Sequence, residues 1–321
     1  MMELVRLQNK TVKYGRRAIY LLMRLVFLTG FCFVILYPVI QLLSRGFMSV
    51  QDMTDNEVIL IPKHFTLDNF RVAAMLLDYK SALANTVLLT VAATAFSVFS
   101  TLLAGYGFAR HEFKLKPVLF AVLMFTVVVP PQLIMIPLYM RFREFDVLGL
   151  FEALGGERLN LINTFWPFMI LSATGMGIKS GIFIYLFRQF FAGMPREIEE
   201  AAMVDGAGSF RTFCTVMLPN AITIIVTNIL FSVVWQYNDI VYSQLFLTTK
   251  KVLSMQYMNL ERFTEPVMEL LGLSANSVEV GLYVPIVKSA GVLLILGPVL
   301  LLFLAAQKFF VESVERSGIV G

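Results

Sequence analysis

Charge is scarce in this chain, so the places where it gathers are the places to look for chemistry. The densest polar island runs Met194-Pro195-Arg196-Glu197-Ile198-Glu199-Glu200-Ala201-Ala202-Met203-Val204-Asp205-Gly206-Ala207-Gly208 and is followed by Leu218-Pro219. The chemistry on offer there is contact, not catalysis. Glu200 presents a carboxylate that an arginine on another protein could fork, Ala201 and Ala202 permit close approach, and Gly206 permits a bend. A solvated loop with capping residues would explain each residue singly but not the whole spaced set.

Lys179 is the second candidate, a lone cation in an apolar run, nine residues before Arg188. On a continuous helix that is about 13 Å. A lysine at such depth is costly and is expected to face the bundle interior, a cavity or an acid. Two uses compete: meeting a polar or anionic cargo, or pairing with another subunit; snorkelling to the interface is a third. Trp235, Asn238 and Asp239 form a further set, an aromatic with an amide and a carboxylate. Such a set could line a path for a polar cargo, although a membrane-surface aromatic belt explains Trp235 and Tyr237 as well or better. His64 and His111 stand alone, and Cys32 and Cys214 lie in different segments, so neither a metal site nor a disulfide framework is indicated. With no clustered His, Cys or carboxylates inside the bundle, the chain does not read as an enzyme.

The elements that carry these residues follow from composition. The 321 residues are 58% hydrophobic and 15% charged, far from a soluble average. Uncharged runs of membrane-spanning length recur, which makes this an all-α polytopic membrane protein. The net charge of +4 follows the loops and does not point to nucleic acid. Residues 1–24 carry Arg6, Lys10, Lys13, Arg16, Arg17 and Arg24 against Glu3, and form an N-terminal segment expected inside. The first span is 25–43; a signal peptide would have a shorter apolar core and a cleavage site.

Residues 44–80 form an outer segment, in which Thr66 can cap a short helix opened by Asp68. The second span is 81–109 and the third 117–140, broken by Pro130-Pro131 and Pro137. An outer loop at 141–161 leads to a fourth span at 162–187. The loop 189–219 comes next, then a fifth span at 220–242, an outer segment at 243–283 holding Glu261, Glu265, Glu269 and Glu279, and a sixth span at 285–307. The tail 308–321 is expected inside, so the six-helix domain is 25–307. Within the loop, Pro195 suits the first helical position, Gly206 the left-handed turn that ends the helix, and Ser209 the cap of a second helix that Pro219 ends or bends. Segments assigned to the inside carry net positive charge and the remainder net negative charge, which agrees with both ends and the 189–219 loop being cytoplasmic.

The 194–219 string resembles the EAA loop of binding-protein-dependent ABC importer permeases. Glu200, Ala201, Ala202, Asp205, Gly206, Ala207, Leu218 and Pro219 fall on the loop's Glu-Ala-Ala, Asp-Gly-Ala and Leu-Pro positions. Thr223 stands where sugar permeases often have another proline. Softer phrases resemble the carbohydrate branch, of the maltose-type G subunit: Phe65-Thr66-Leu67, the run 103–110 ending in Arg110, residues 188–191, and Trp235 with Asn238-Asp239.

The resemblance implies a multi-pass permease in a prokaryotic cytoplasmic membrane. It also implies a second homologous permease, an ABC ATPase dimer and an extracytoplasmic solute-binding protein that delivers a carbohydrate and that Asp239 could touch. The loop would be the coupling helix that plugs into the ATPase. No Gly-x-x-x-x-Gly-Lys-Ser/Thr occurs, so no cofactor is expected in this chain and ATP would be used by the partner. The competing class is a six-helix secondary transporter driven by an ion gradient. Against it, the spans hold few carboxylates and no evident inverted repeat.

Overall fold

A computed structural model describes residues 2–147, 149–260, 264–271 and 278–318. Glu261 and the last three residues of the expected tail lie outside them. The described residues are almost wholly helical, with two isolated bridges, Met48 to Phe65 and Phe145 to Leu159, and no strand. In chain order the helices are α1 (Met2–Phe47), α2 (Val50–Thr54), α3 (Asp68–Leu76), α4 (Tyr79–Arg110), α5 (Lys116–Val128), α6 (Met135–Arg143), α7 (Leu150–Ala153), α8 (Trp166–Ala173) and α9 (Ser180–Gly193). They continue with α10 (Glu197–Val204), α11 (Ser209–Thr212), α12 (Leu218–Asn220), α13 (Ile222–Tyr237), α14 (Val241–Phe246), α15 (Leu253–Asn259), α16 (Thr264–Leu271) and α17 (Val278–Gly318).

Among the described residues three helical stretches are long and apolar enough to cross a membrane: Ile19–Phe47, Tyr79–Arg110 and Gly281–Gln307. Two bent pairs raise the number to five if each is one span. Lys116–Val128 and Pro131–Arg143 meet at 102°, and Ser209–Asn220 and Ile222–Tyr237 at 74°. Pro130 and Pro131 cause the first bend, since a proline can neither donate to the helix ladder nor let its predecessor stay helical. The chain is therefore a multi-pass all-α membrane protein.

The chain forms two compact units, residues 1–73 with 262–293, and 74–261 with 294–321. In the first, buried Asn69 donates from Nδ2 to the carbonyls of Gly46 and Met48 at 2.9 and 2.8 Å, pinning α3 to the end of α1. Thr66 behaves as a cap, its hydroxyl accepting from the Asp68 N–H at 3.1 Å. Asp52, buried, accepts from the His64 N–H at 3.0 Å and lies 2.8 Å from His64 Nδ1. Burial opposes its ionisation, but these bonds prevail and hold the carboxyl below its usual range.

The second unit is organised around α4, which packs on α8, α9, α13 and α15. Its buried face carries hydroxyls at helical spacing: Thr86, Thr90, Thr94, Ser97 and Thr101. Ser232 of α13 donates to Thr94 Oγ1 at 3.3 Å, and Ser100 donates to the Ser172 carbonyl of α8 at 2.6 Å. Hydroxyls bonded across helices bind a bundle where the hydrophobic effect cannot. Gly105 lets α4 and α9 touch backbone to backbone. A Cβ there would collide with that of Phe187 and come within 3.0 Å of the Arg188 nitrogen.

The structure corrects three local expectations. The fourth span is not one helix: residues 174–179 break it between α8 and α9, because Gly175 (φ 71°) takes a left-handed turn and Thr174 turns its hydroxyl back onto the Ile170 carbonyl. Lys179 is accordingly not inside a helix; it is the left-handed residue (φ 58°) just before α9. At the knob, Arg196 is the N-cap of α10 and Gly208 that of α11, so Pro195 precedes α10 and Ser209 is the first residue of α11. Short polar helices end within a residue or two of their sequence signals.

Candidate functional site

Two groups of the singled-out residues come together. The first is the knob. α10 carries Glu200, Ala201 and Ala202 and ends in a Schellman turn: the Gly206 N–H reaches the Met203 carbonyl and the Ala207 N–H the Ala202 carbonyl, both at 3.0 Å. Gly206 takes φ 83° there, the left-handed conformation that requires glycine. Asp205 caps the helix and is exposed. A π-helical turn, Phe213–Met217, joins α11 to Leu218-Pro219. Leu218 packs against the cluster beneath the knob, and Pro219 lines an apolar groove of about 660 Å³ with Leu102, Phe99 and Ile222.

The knob is fixed by residues that sequence reasoning did not single out. Glu199, one position before Glu200, turns inward and is buried. Its Oε1 accepts from the Tyr106 hydroxyl at 3.0 Å, and its Oε2 lies 3.4 Å from Arg110 Nε. Arg110 also donates from Nη2 to the Met194 carbonyl at 2.9 Å. Tyr106 and Arg110 are one turn apart at the end of α4, so they share the face that meets α10. That spacing was the available signal. Around them Tyr106 packs on Phe191 and Phe213, with ring centroids at 5.3 and 4.7 Å. Nearby, a hydrogen bond from Lys116 at 2.8 Å, reinforced by the charge of Arg196, holds the Glu112 carboxyl below its usual range.

With Glu199 turned in, the opposite face of the knob stays open. It presents the exposed carboxylate of Glu200 beside large apolar side chains: Val204 is 87% exposed, and beyond the turn Phe210 is 79% exposed. A carboxylate among uncovered apolar groups is the composition of a docking face.

The second group lies at the break between α8 and α9. Lys179 Nζ sits over the Trp235 ring, 4.8 Å from its centroid, so two residues of the expected substrate path meet. Asn238 and Asp239 do not join them. Asn238 bonds back to the Val234 carbonyl at 2.8 Å. Asp239 is buried and caps α14, accepting from the Ser243 N–H at 2.8 Å and its hydroxyl at 3.1 Å. Among the described residues no three His, Cys, Asp or Glu gather as metal ligands.

Comparison with known proteins follows the same lines. The family model described as "Binding-protein-dependent transport system inner membrane component" matches residues 97–316. The chain is 26% identical over 296 residues to the probable ABC transporter permease protein YurM of Bacillus subtilis, covering 92% of this chain and 87% of the relative. It is 26% identical over 310 residues to the maltodextrin transport system permease protein MalD of Streptococcus pneumoniae, covering 97% and 99%. Among solved structures, a chain of a bacterial ABC transporter involved in the import of the acidic polysaccharide alginate superposes with a TM-score of 0.70. It is 22% identical and the match covers 91% of this chain and 96% of that one, a likeness of fold.

Proposed function

The chain belongs to the family of binding-protein-dependent transport system inner membrane components, and from that premise we propose that it is the permease subunit of an ATP-driven carbohydrate importer. The ABC importer class follows from the family and its relatives. The carbohydrate reading is supported by the relatives' own substrates, maltodextrin among them.

In this reading the chain crosses the membrane six times, with both ends in the cytoplasm. This count takes each of the two bent pairs as one span beside the three long helices and adds α8 with α9 as the sixth. A second permease completes the path, a solute-binding protein delivers the sugar, and an ATPase dimer supplies the energy. The chain itself performs no covalent chemistry. Glu200, Ala201, Ala202, Asp205, Gly206 and Ala207 form the coupling knob, with Leu218 and Pro219 at its return. The observation that carries this role is the buried Glu199–Arg110–Tyr106 clasp, which makes the knob rigid with α4 while Glu200, Val204 and Phe210 face outward. A knob seated in an ATPase cleft and fixed to a long helix converts closure of the ATPase dimer into helix movement.

Gly206→Val puts a β-branched residue at φ 83°, which costs about 1–2 kcal/mol and opens the turn. Both Gly206→Val and Glu200→Ala are expected to abolish sugar uptake in proteoliposomes while leaving membrane insertion intact. Full uptake in both variants would overturn the coupling role of the loop; uptake that survives removal of the ATPase, or collapses with an ionophore alone, would favour an ion-driven secondary transporter.

A further inference from the structure

The break between α8 and α9 holds a set of features that the coupling role does not use. Lys179 is held in a left-handed conformation that non-glycine residues rarely adopt, and its ammonium is carried out over the ring of Trp235. The lysine is exposed and the tryptophan is 47% exposed, so the pair is open to a visitor. Behind it, inside the turn, Ser180 is only 2% exposed and its hydroxyl has no hydrogen-bond partner. A Cβ on Gly177 would lie 3.3 Å from that hydroxyl and 2.9 Å from Ser172 Oγ, so the turn closes directly over it. Ser180 is also the first residue of α9, whose N-terminal end carries partial positive charge.

We propose, resting on the permease reading, that this turn is a cargo subsite and that its cargo is an acidic glycan, a sugar chain bearing carboxylates. A cation at a helix N-terminus favours negative charge. An indole face offers the flat apolar platform that a pyranose ring covers with its C–H bonds. A neutral sugar would use the platform alone and leave Lys179 without a counter-charge. A carboxylated sugar uses both: its carboxylate takes the Lys179 ammonium and its ring lies against Trp235. A helix interrupted within a membrane bundle is also where transporters place cargo, because the interruption exposes polar backbone to a cavity.

The test is equilibrium binding of a radiolabelled galacturonic acid trisaccharide and of maltotriose to the purified importer in nanodiscs, without its solute-binding protein. The acidic trisaccharide is expected to bind about tenfold tighter than the neutral one. Lys179→Met should erase that preference, Lys179→Arg should retain it, and Trp235→Ala should weaken both sugars. Equal binding of the two, or a preference unchanged in Lys179→Met, overturns the proposal. So does loss of the second permease from Lys179→Met preparations, which would make the lysine a subunit contact. Co-purification of an active ATPase with each variant keeps these outcomes separate from the permease reading, whose failure would show as absence of any ATPase. Should Trp235→Ala fold poorly, Trp235→Phe keeps a platform, and retained acidic preference is expected.

Discussion

α4 is gripped at both ends, and the two grips differ in chemistry. At its C-terminal end the grip is ionic: the buried Glu199 carboxylate lies between Arg110 and the Tyr106 hydroxyl, over a floor of Phe191, Phe213 and Met217. At its N-terminal end the buried bonds are neutral. Thr86 Oγ1 accepts from the Leu253 N–H at 2.8 Å, and Gln256 donates to the Leu77 carbonyl at 2.9 Å. Nearby, in a more exposed position, Asn163 Oδ1 accepts from three successive N–H groups, those of Thr248, Thr249 and Lys250, in the segment that leads to Leu253. Among the described residues the ion pair at that end, Lys251 with Asp78, is exposed and contributes little. An ionic clasp is strict, since a half-broken buried pair is far worse than none, whereas an amide clasp loses a bond at a time. The strict clasp sits beside the knob, where load would be transmitted.

The sharpest way to break this contrast is Glu199→Ala. It strands the Arg110 charge under the knob and should cost about 3–5 kcal/mol of local docking. Hydrogen exchange is expected to rise across residues 194–212 while the far end is unchanged. Adding Arg110→Met to the variant should recover most of the loss; no recovery would mean that the ions are not what holds the knob. At the amide end Asn163→Ala should cost about 1–3 kcal/mol, read as a lower thermal midpoint in detergent, with protection lost at 248–253 and the knob unaffected.

The smallest effect is with pH. Asp146 is buried and accepts from the N–H groups of Phe151 and Glu152 at 2.9 and 3.2 Å. Burial pushes its pKa upward, but those bonds, with the nearby charges of Arg158 and Arg141, outweigh burial and leave it depressed. A depressed carboxyl contributes stability that is complete above its unfolded value, near 4, and is lost as pH falls through the lower folded value. Proteolysis in the loop 144–160 should therefore quicken only below about pH 4, and Asp146→Asn should remove that dependence.

Fold class was legible because uncharged runs of spanning length admit few alternatives, and α1, α4 and α17 contain the expected first, second and sixth spans. The expected bend in the third span was carried by Pro130-Pro131. The break in the fourth was not read, because its glycines sit in an apolar run where glycine is also ordinary helix-packing material. Of the candidate site, the Schellman turn was foreshadowed by Gly206. The inward turn of Glu199 was hidden: three glutamates in one helical turn look alike until Tyr106 and Arg110, some ninety residues upstream, are brought to one of them. Asp239 shows the reverse error of emphasis, a carboxylate in a suggestive phrase whose bonds all serve the start of α14.

Gly105 has a mechanical consequence. Where two helices touch through side chains, one can roll on the other as rotamers adjust. Where a glycine seats one backbone against the next, with Phe187 and Arg188 filling the missing Cβ, there is nothing left to adjust. α4 and α9 therefore move as a single double-width strut, with the knob clasped near one end and the Lys179 turn at the far end of α9. A tilt imposed at the knob then has a direct route to that turn, as a crowbar has to its load, and a methyl group at position 105 would force the two backbones apart.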